Sequence, residues 1–510
     1  MSTNPGIERA QRVDDSTRTD GTARPRFEQL AQEITASIEE NVLRPGDRLP
    51  SIRESSRTRR LSITTVRSAY GLLESRGLVE SRPQSGYYVR ARAPARHSAI
   101  VPTAQHCNGL PGDVNCIVMA TLKAIGSQGA MPFASPFPDP SLFPWRRVHQ
   151  RMNEVSKRFG IWDPLHDMPP GQPDLIREIA RRHLSNGLNV SPDEIIVTAG
   201  ATEAIDLCLQ AVSRPGGCIV VESPCYYATL QTIKRLGLCA IEVPASASEG
   251  IDLEALSRVL ARQRVDGCVL MPNFQNPLGF VMSDAKKRAV VELCKRHDVP
   301  IIENGVYNEL YYDRPPSTLK SFDTQGLVLH CGSFSKCLAA GVRLGWVLPG
   351  RYARKIETLK FLNKTFAPGI GQIAIAKFLR QDGWDLHLRN VRKTLQQRRD
   401  IMVSMVQRFF PAGTRCSQPQ GGYLLWLELP GNVDSLALHR EAMAMGVAIS
   451  PGYIFSAGEN FRHCLRLNYS YPWTGTVEAA FLKLARLVCR AAGSAMVSTE
   501  TKAETAEIQL

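Results

Sequence analysis

Residues 331–346 read CGSFSKCLAAGVRLGW and place one lysine, Lys336, among hydroxyls and small residues. The apolar run LVLH (327–330) comes directly before this stretch, and Arg343 stands seven positions after the lysine. Lys336 is therefore either a surface charge or a nucleophile. A nucleophilic lysine needs a pKa lowered by burial or by cationic neighbours, so the rest of the chain has to enclose it.

The chain around Lys336 alternates short apolar runs with helical stretches. The runs that predict strands are EIIVTAG, CIVVESP, GCVLMPNF, VPIIENG and LVLHCGS, and ATEAIDLCLQAV and DAKKRAVVELCKRH predict helices. Strands buried on both faces and joined by helical crossovers predict a mainly parallel sheet with helices on both faces. Ligands of such sheets bind at the carboxyl ends of the strands, where this chain carries TAGATEA, ESPCYY, NFQNPLG and ENGVY.

A Schiff base between Lys336 and pyridoxal phosphate would account for the polar residues at these strand ends. Ser333, Ser335, Arg343 and the helix start at 200–202 offer donors to the phosphate, Tyr226 offers a face to the ring, and Asn276 or Tyr307 offers a partner to the phenolic oxygen. Each feature alone has an ordinary explanation, since a lysine after a strand is usually exposed and NPLG is commonly a turn. Their joint order along the chain favours the cofactor site.

A separate patterned unit precedes the α/β region, between residues 27 and 89. FEQLAQEITASIEENV predicts a first helix, which ends before the turn RPGDRLPS. SIRESSRTRR predicts a second helix capped by Ser51, and LSITTVRSAYGLLESRGL predicts a third helix capped by Ser62. VESRPQSGYYVR then predicts two strands with Gly86 at the hairpin tip. Together these elements predict a winged helix-turn-helix.

The third helix opens with Ser62, Thr64 and Thr65 and carries Arg67 one turn further on. A helix N-terminus of this kind binds phosphate and offers side chains to base edges in the major groove. Between residues 24 and 92 there are 13 arginines, no lysine and 8 acidic residues, which gives a net charge of +5. This pattern favours DNA binding, and an arginine-rich solvated face is the alternative.

The stretch RPGDRLPSIRESSRTRRLSITTVRSAYGLLESRGLVESRPQSGYYV resembles the DNA-binding head of GntR-family transcription regulators. The shared patterns are P-G-x-x-L-P-S-x-R-E and S-x-x-T-V-R. The resemblance implies contacts to double-stranded operator DNA from Arg48, Ser51, Arg53, Thr64, Thr65, Arg67 and Gly86. The family usually has a smaller, more apolar segment where this chain has ESSRTRRLS, a departure that leaves the contact positions intact.

Residues 130–490 are similar to the fold-type I aminotransferases of class I/II, and with the head the whole chain resembles the MocR subfamily of GntR regulators. The resemblance implies pyridoxal 5'-phosphate as cofactor and a homodimer as assembly. It implies that Lys336 of SFSK forms the Schiff base and that Gly200, Ala201, Thr202 and Arg343 hold the phosphate. It also implies that Tyr226 stacks on the ring, that Asn276 and Tyr307 contact the phenolic oxygen, and that Arg466 of CLRLNYS clamps a substrate carboxylate.

Two positions depart from the family pattern. The chain has ENGVY (303–307) where the family usually has E-D-D-x-Y, so Asn304 stands in place of the aspartate that pairs with the pyridine nitrogen. His166 stands where many relatives offer a tyrosine to the phosphate of the partner subunit. Both departures predict weak transaminase activity. A register shifted by one residue, with Glu303 at the ring nitrogen, is the alternative.

Composition is typical of a globular protein of 510 residues, with 43% apolar and 22% charged residues. The net charge of +14 and a pI near 9.3 suggest an anionic partner. The N-terminus lacks the apolar core of a signal peptide, and no run approaches the roughly 18 apolar residues of a membrane span, so we expect a cytoplasmic protein without a membrane partner. The 13 cysteines include no CxxC pair and predict reduced packing thiols rather than a metal site.

The predicted fold class is α/β, with a winged helix-turn-helix followed by a fold-type I aminotransferase domain and a small α+β C-terminal subdomain. The predicted parts are a disordered leader (1–24), the DNA-binding domain (25–92), a linker (93–128), the aminotransferase-like domain (129–492) and a polar tail (493–510).

The favoured hypothesis is a pyridoxal-phosphate-dependent transcription regulator that senses an amine or amino acid through external aldimine formation at Lys336. A working aminotransferase with an accessory DNA-binding head is the rival hypothesis. A third hypothesis, a DNA-binding protein with a cofactor-free dimerisation scaffold, is disfavoured because Lys336, Arg343 and Asn276 are retained.

Overall fold

The computed structural model describes residues 25–40, 42–82, 85–90, 114–158, 168–364, 367–431, 433–458 and 460–493. The chain divides into two compact units, Met1–His106 and Cys107–Leu510. The predicted leader, His166 and almost all of the predicted tail lie outside the described residues. Within the predicted linker, the described part forms a helix, α4 (Val114–Gln128).

The first unit contains three helices and a two-stranded antiparallel sheet. These are α1 (Arg26–Glu39), α2 (Ile52–Arg59), α3 (Ile63–Ser75), β1 (Val79–Arg82) and β2 (Gly86–Val89). Ser51 begins α2 with a capping box to Glu54, and the Ser62 hydroxyl accepts from the Thr65 amide at 3.0 Å at the start of α3. Leu30, Ile34, Val66, Tyr70 and Leu73 fill the core between the helices.

The strands β1 and β2 after α3 pair as an antiparallel hairpin, which is the predicted wing. Val79 lies opposite Val89, and Arg82 lies opposite Gly86. Gly86 is therefore the first residue of β2 rather than the tip of the hairpin, and its φ of +107° is a conformation that favours glycine. Because Arg48 forms an isolated bridge with Tyr88, the wing is tied to the chain before α2.

The second unit is built on an eight-stranded sheet in the order β3-β10-β9-β8-β7-β4-β5-β6. Its strands are β3 (Ile196–Thr198), β4 (Cys218–Ser223), β5 (Cys239–Ser246), β6 (Gly250–Ile251), β7 (Gly267–Leu270), β8 (Ile301–Asn304), β9 (Val328–Ser333) and β10 (Gly345–Leu348). The five strands from β9 to β5 are parallel, whereas β10 and β6 run antiparallel to their neighbours. The predicted α/β class with a mainly parallel sheet is confirmed.

Helices cover both faces of this sheet, and the apolar residues of this unit form three large cores. The helices are α4, α5 (Trp145–Arg158), α6 (Pro173–Ser185), α7 (Ala201–Val212), α8 (Tyr227–Arg235), α9 (Leu253–Arg262), α10 (Asp284–Arg296), α11 (Ala353–Lys364), α12 (Gly369–Gln381), α13 (Trp384–Phe409), α14 (Ser435–Ala444) and α15 (Gly475–Ala491). Along β8, Ile301 and Ile302 are both fully buried but belong to different cores. A strand buried on both faces explains the continuous apolar runs of the sequence.

A second, antiparallel sheet follows in the C-terminal part of this unit. It consists of β11 (Arg415–Cys416), β12 (Leu424–Glu428), β13 (Ser450–Pro451) and β14 (Cys464–Asn468), in the order β11-β12-β14-β13. Trp426 lies opposite Arg466 in the register of β12 and β14. Among the described residues, no helix is both long and apolar enough to cross a membrane.

Candidate cofactor site and nucleic-acid interface

The carboxyl ends of β3, β4, β7, β8 and β9 meet at one edge of the large sheet, because these strands run in the same direction. The segments that follow them line one cleft, which we call the lysine cleft. Its lining consists of Phe137, Ala201, Thr202, Ile205, Tyr226, Met271, Asn276, Asn304, Val306, Tyr307, Ser333, Ser335, Lys336 and Arg343. The lining contains no aspartate or glutamate, so the cleft suits an anionic ligand.

Lys336 follows β9 and points into the lysine cleft. Its Nζ donates a hydrogen bond to the carbonyl of Pro136 at 2.8 Å and lies 4.1 Å from the centre of the Phe137 ring. Burial, together with the charges of Arg343 and Arg466, lowers the pKa of this amine to about 7. The amine is therefore largely neutral just above neutral pH, which is the form that attacks an aldehyde.

The start of α7 forms one wall of the cleft together with Arg343. Gly200 has a φ of +98°, and a Cβ on it would lie 3.2 Å from Nη2 of Arg343, so the guanidinium rests directly on the glycine. The first amides of α7 have no partner within the helix. Arg343 forms no ion pair with any described residue, and the buried hydroxyl of Ser335 has no hydrogen-bond partner among them. These unused donors fit the phosphate of pyridoxal phosphate.

A group of tyrosines and an asparagine form the opposite wall. Tyr226 follows β4, and its ring centre lies 4.6 Å from that of Tyr227. The ring centres of Tyr307 and Tyr423 are 5.2 Å apart. Burial raises the pKa of Tyr307, so its hydroxyl remains a donor at neutral pH. Asn276 is buried between this hydroxyl and Arg466, and the wall can therefore bind both a ring and its phenolic oxygen.

Asn304 is the last residue of β8, and its side chain faces the cleft. The preceding residue, Glu303, faces the other side of the sheet, where it contacts Nδ1 of His330 at 3.0 Å and accepts from the Leu319 amide at 2.9 Å. This alternation places Asn304, and not Glu303, at the cleft. The Oδ1 atom of Asn304 accepts from the Val306 amide at 3.4 Å, which leaves the Nδ2 donors for a ligand.

Arg466 lies beneath the cleft on β14 and is fully buried. Its Nη1 donates to Oδ1 of Asn276 at 3.4 Å, and its Nη2 donates to the Ser450 hydroxyl at 2.9 Å and to the carbonyl of Ala134. Its Nε has no partner, and no carboxylate of the described chain pairs with the guanidinium. A buried charge without a counter-ion is costly, so a ligand carboxylate would stabilise it.

Sequence reasoning missed the segment that covers Lys336 from above. Pro136 and Phe137 contact the lysine across 200 residues of chain, and Tyr423 donates to the same Pro136 carbonyl at 2.8 Å. The sequence SPFPDP around these residues shows only a turn-rich stretch. Its aromatic residue between prolines is the one signal that could have drawn attention to it.

In the first unit, the predicted DNA contacts lie on α2, α3 and the wing. Arg53 and Arg67 are exposed, and neither forms a hydrogen bond or ion pair with a described residue. The hydroxyls of Thr64 and Thr65 both lie 2.7 Å from that of Ser62 at the start of α3.

Of the other three predicted contacts, two lie against each other and the third is already engaged within the protein. Arg48 lies against Gly86, since a Cβ on the glycine would be 3.4 Å from the arginine Nε. The Ser51 hydroxyl accepts from the Glu54 amide at 3.2 Å and is thus occupied as a cap. The exposed arginines, rather than Ser51, are therefore the strongest candidates for contacts to DNA.

Two family models match the chain. The model of the class I and II aminotransferases matches residues 142–479, and that of the gntR family of bacterial regulatory proteins matches residues 26–89. The chain belongs to the class I and II aminotransferase family and carries a GntR head, which is the architecture of MocR-type regulators.

Similar proteins share this architecture. The HTH-type transcriptional regulator YdcR of Escherichia coli is 40% identical over 91% of this chain and 99% of its own length. YjiR of the same organism is 36% identical over 91% of this chain and 99% of its own length. These similarities make the protein a DNA-binding transcription regulator with an aminotransferase-like domain.

Solved structures resemble the second unit. The multiple substrate aminotransferase of Thermococcus profundus is 28% identical and covers 73% of this chain and 94% of its own, with a TM-score of 0.68. The α-aminoadipate aminotransferase LysN of Thermus thermophilus, in complex with N-(5'-phosphopyridoxyl)-L-leucine, is 26% identical over 74% of this chain and 95% of its own, also with a TM-score of 0.68. Pyridoxal phosphate is therefore the cofactor of this domain, and the unused donors of the lysine cleft fit it.

Substitution of the exposed arginines tests the DNA interface. Arg53→Ala and Arg67→Ala should each weaken operator binding by about 1–3 kcal/mol if they contact bases or tightly held phosphates. Arg76→Ala, at the far end of α3, is the matched control and should change affinity little. Fluorescence anisotropy with a promoter fragment at two salt concentrations measures the effect. Unchanged affinity in both variants would remove α3 as the recognition helix.

The pH dependence of Lys336 labelling tests the cleft itself. The folded-state pKa of about 7 lies below that of an ordinary lysine, so the amine is protonated and unreactive below pH 7 and neutral above it. Acetylation of the apo protein by acetic anhydride, followed by peptide mass spectrometry, should reach half its maximal rate near pH 7. In denatured protein the same lysine should react only toward pH 10. Identical profiles in both states would contradict the burial of the amine.

Proposed function

We propose that the protein is a pyridoxal-phosphate-dependent transcription regulator that binds operator DNA through its first unit and senses an amine or amino acid through external aldimine formation at Lys336. The observation that carries the proposal is the amide of Asn304 in the lysine cleft. It stands where the aminotransferase family usually has an aspartate, in a cleft whose other binding groups are retained. This combination favours ligand binding over turnover.

When it is bound, pyridoxal phosphate supplies an aldehyde for exchange between amines and a ring that withdraws electrons most strongly when its nitrogen is protonated. A carboxylate beside the ring nitrogen would favour the protonated form. The Oδ1 atom of Asn304 already accepts a hydrogen bond from the Val306 amide, so the Nδ2 group is the part of the side chain left for the cofactor. Because Nδ2 is a hydrogen-bond donor, it pairs with a ring nitrogen that carries no proton. Asn304 therefore holds the ring while leaving it a weak electron acceptor.

Each binding group of the cleft can be assigned to one part of the cofactor or of the effector. Lys336 offers a neutral amine for exchange. Arg343, Ser335 and the start of α7 hold the phosphate, and Tyr226 covers the ring. Asn276 and Tyr307 bind the phenolic oxygen. Arg466, buried without a counter-ion, clamps a carboxylate of the ligand.

A working aminotransferase with an accessory DNA-binding head is the second candidate function. It is favoured by the likeness to the aromatic-amino-acid aminotransferase 1 of Thermococcus litoralis, which is 28% identical over 72% of this chain and 90% of its own length. Asn304 argues against it. The third hypothesis, a cofactor-free scaffold, is wrong, because the family and the solved relatives identify pyridoxal phosphate as the cofactor.

We further propose a homodimer that binds paired half-sites upstream of a neighbouring gene. Fold-type I sites are usually completed by a second subunit, and dimeric helix-turn-helix proteins bind half-sites whose spacing mirrors their own symmetry.

Removal of Lys336 tests the proposed sensor. The purified protein should absorb visible light with pyridoxal phosphate attached, and Lys336→Ala should lose this band because no other amine closes on the aldehyde. An amine that shifts the spectrum should also change the affinity for promoter DNA, and this response should be absent in Lys336→Ala. Lys393→Ala, an exposed lysine on α13, is the control. An equal DNA response in Lys336→Ala would contradict sensing at this residue.

Restoration of the carboxylate tests the role of Asn304. Asn304→Asp should speed conversion of the bound cofactor to its pyridoxamine form, because the aspartate favours a protonated ring nitrogen. Asn304→Ala, which removes the donor without adding a charge, should bind the cofactor less tightly and convert no faster. Stopped-flow absorbance measures all three proteins with a ligand that shifts the spectrum. Rapid, complete conversion by the wild type, with repeated turnover on a keto acid, would establish the enzyme instead.

A further inference from the structure

The segment Met131–Asp139, which we call the strap, joins α4 to α5 and crosses the lysine cleft. Two of its carbonyls accept hydrogen bonds from Lys336 and Arg466, two residues of the proposed ligand site. The Pro136 carbonyl accepts from Nζ of Lys336 at 2.8 Å, and the Ala134 carbonyl accepts from Nη2 of Arg466. One short segment therefore contacts both groups that a ligand would engage.

Apart from the Pro136 carbonyl, the second half of the strap is held by groups that no ligand would engage. Nδ2 of Asn468 donates to the carbonyls of Ser135 and Phe137 at 2.9 and 2.7 Å. The Asp139 amide donates to the Ser470 hydroxyl at 2.8 Å. In the first half, backbone hydrogen bonds hold Met131 and Phe133. The Ala134 carbonyl is held by Arg466 and by the Ser450 hydroxyl, which donates to it at 3.2 Å. A change at Arg466 thus acts on the half of the strap nearest to α4.

Two sets of contacts connect this half of the strap to α4. Ala124 of α4 packs with Ala130, Ala134 and Ala448 in a small core of its own. Alanines have no rotamers with which to absorb a shift, so a displacement of Ala134 moves its neighbours.

The second set of contacts runs through α14. Thr121 of α4 contacts Nε2 of His439 at 3.4 Å, and Nδ1 of His439 donates to the Ile449 carbonyl at 2.8 Å. Ile449 precedes Ser450, which binds Arg466. Because α4 is the first described element of the second unit, it stands nearest in sequence to the DNA-binding unit.

We propose that the effector is an α-amino acid whose carboxylate takes Arg466 from the Ala134 carbonyl, and that the strap passes this change to α4. The inference rests on the proposed function. A guanidinium binds a carboxylate more strongly than a neutral carbonyl, since both partners are charged and the pairing can be bidentate. An amine without a carboxylate would displace Lys336 from the cofactor but would leave the hydrogen bond between Arg466 and the Ala134 carbonyl in place. Such an amine would therefore bind without displacing the strap.

Two O-substituted hydroxylamines can distinguish the effect of displacing Lys336 from the effect of occupying Arg466. Methoxyamine and aminooxyacetate both displace Lys336 from the cofactor, but only aminooxyacetate carries a carboxylate. In full-length holoprotein, aminooxyacetate should speed hydrogen exchange of amides in residues 114–139 by about fivefold or more, the lower end of typical coupling between sites. Methoxyamine should cause a much smaller change. The absorbance shift, recorded on the same samples, reports amine exchange independently.

Variants assign the response to the contacts named above. Arg466→Lys should abolish the difference between the two probes, because a lysine cannot form the bidentate pair. Thr121→Val, which keeps the shape of the side chain, should reduce the response of α4 and leave that of residues 131–139. Ser127→Ala is the control on the same helix, since its exposed hydroxyl donates to the Lys123 carbonyl within that helix.

The outcomes distinguish the inference from the proposed function. An absorbance shift with both probes but equal or absent exchange responses in α4 overturns the role of the strap and leaves sensing at Lys336 intact. Absence of any absorbance shift overturns the proposed function and the inference with it. A response to aminooxyacetate alone, lost in Arg466→Lys, supports both.

Discussion

The site depends on one electrostatic constraint, which is that the lysine cleft holds cations and no ionised acid in its lining. Burial of Lys336 beside Arg343 and Arg466 disfavours the ammonium form, and this is what leaves the amine able to react near neutral pH. The same absence of counter-ions leaves the two arginines in need of anions. Anionic groups, such as a phosphate and a carboxylate, would therefore stabilise these charges, independently of any family likeness.

The topology of the sheet explains why these groups meet. The parallel strands β4, β7, β8 and β9 all end at one edge, so residues more than a hundred positions apart in sequence reach one cleft. β10 returns antiparallel and brings Arg343, at its start, to the same edge. The glycine at position 200 allows the guanidinium to rest on the start of α7. Chain direction, rather than sequence proximity, assembles the anion site.

Much of this was predictable from the sequence, for identifiable reasons. Strands such as β8 are continuous apolar runs, and α3 begins at a hydroxyl cap, so local patterns fixed their type and position. Pro136 and Phe137 could not be predicted, because their contacts with Lys336 depend on how the chain closes over 200 residues. The choice between Glu303 and Asn304 also needed the structure, since it depends on which face of β8 the pleat presents to the cleft.

In the proposed regulator, Asn304 and Arg466 would separate the binding of a ligand from its chemical conversion. Arg466 strengthens the hold on a carboxylate whether or not the ligand reacts, because its charge is buried and unpaired among the described residues. Under the proposed function, Asn304 would act only on the ring, where its donor would leave the nitrogen unprotonated and so slow the loss of a proton from the ligand. A ligand that binds tightly and reacts slowly occupies the site for long periods. Such occupancy is what a regulator needs, because a signal that is consumed as fast as it binds cannot hold a conformational state.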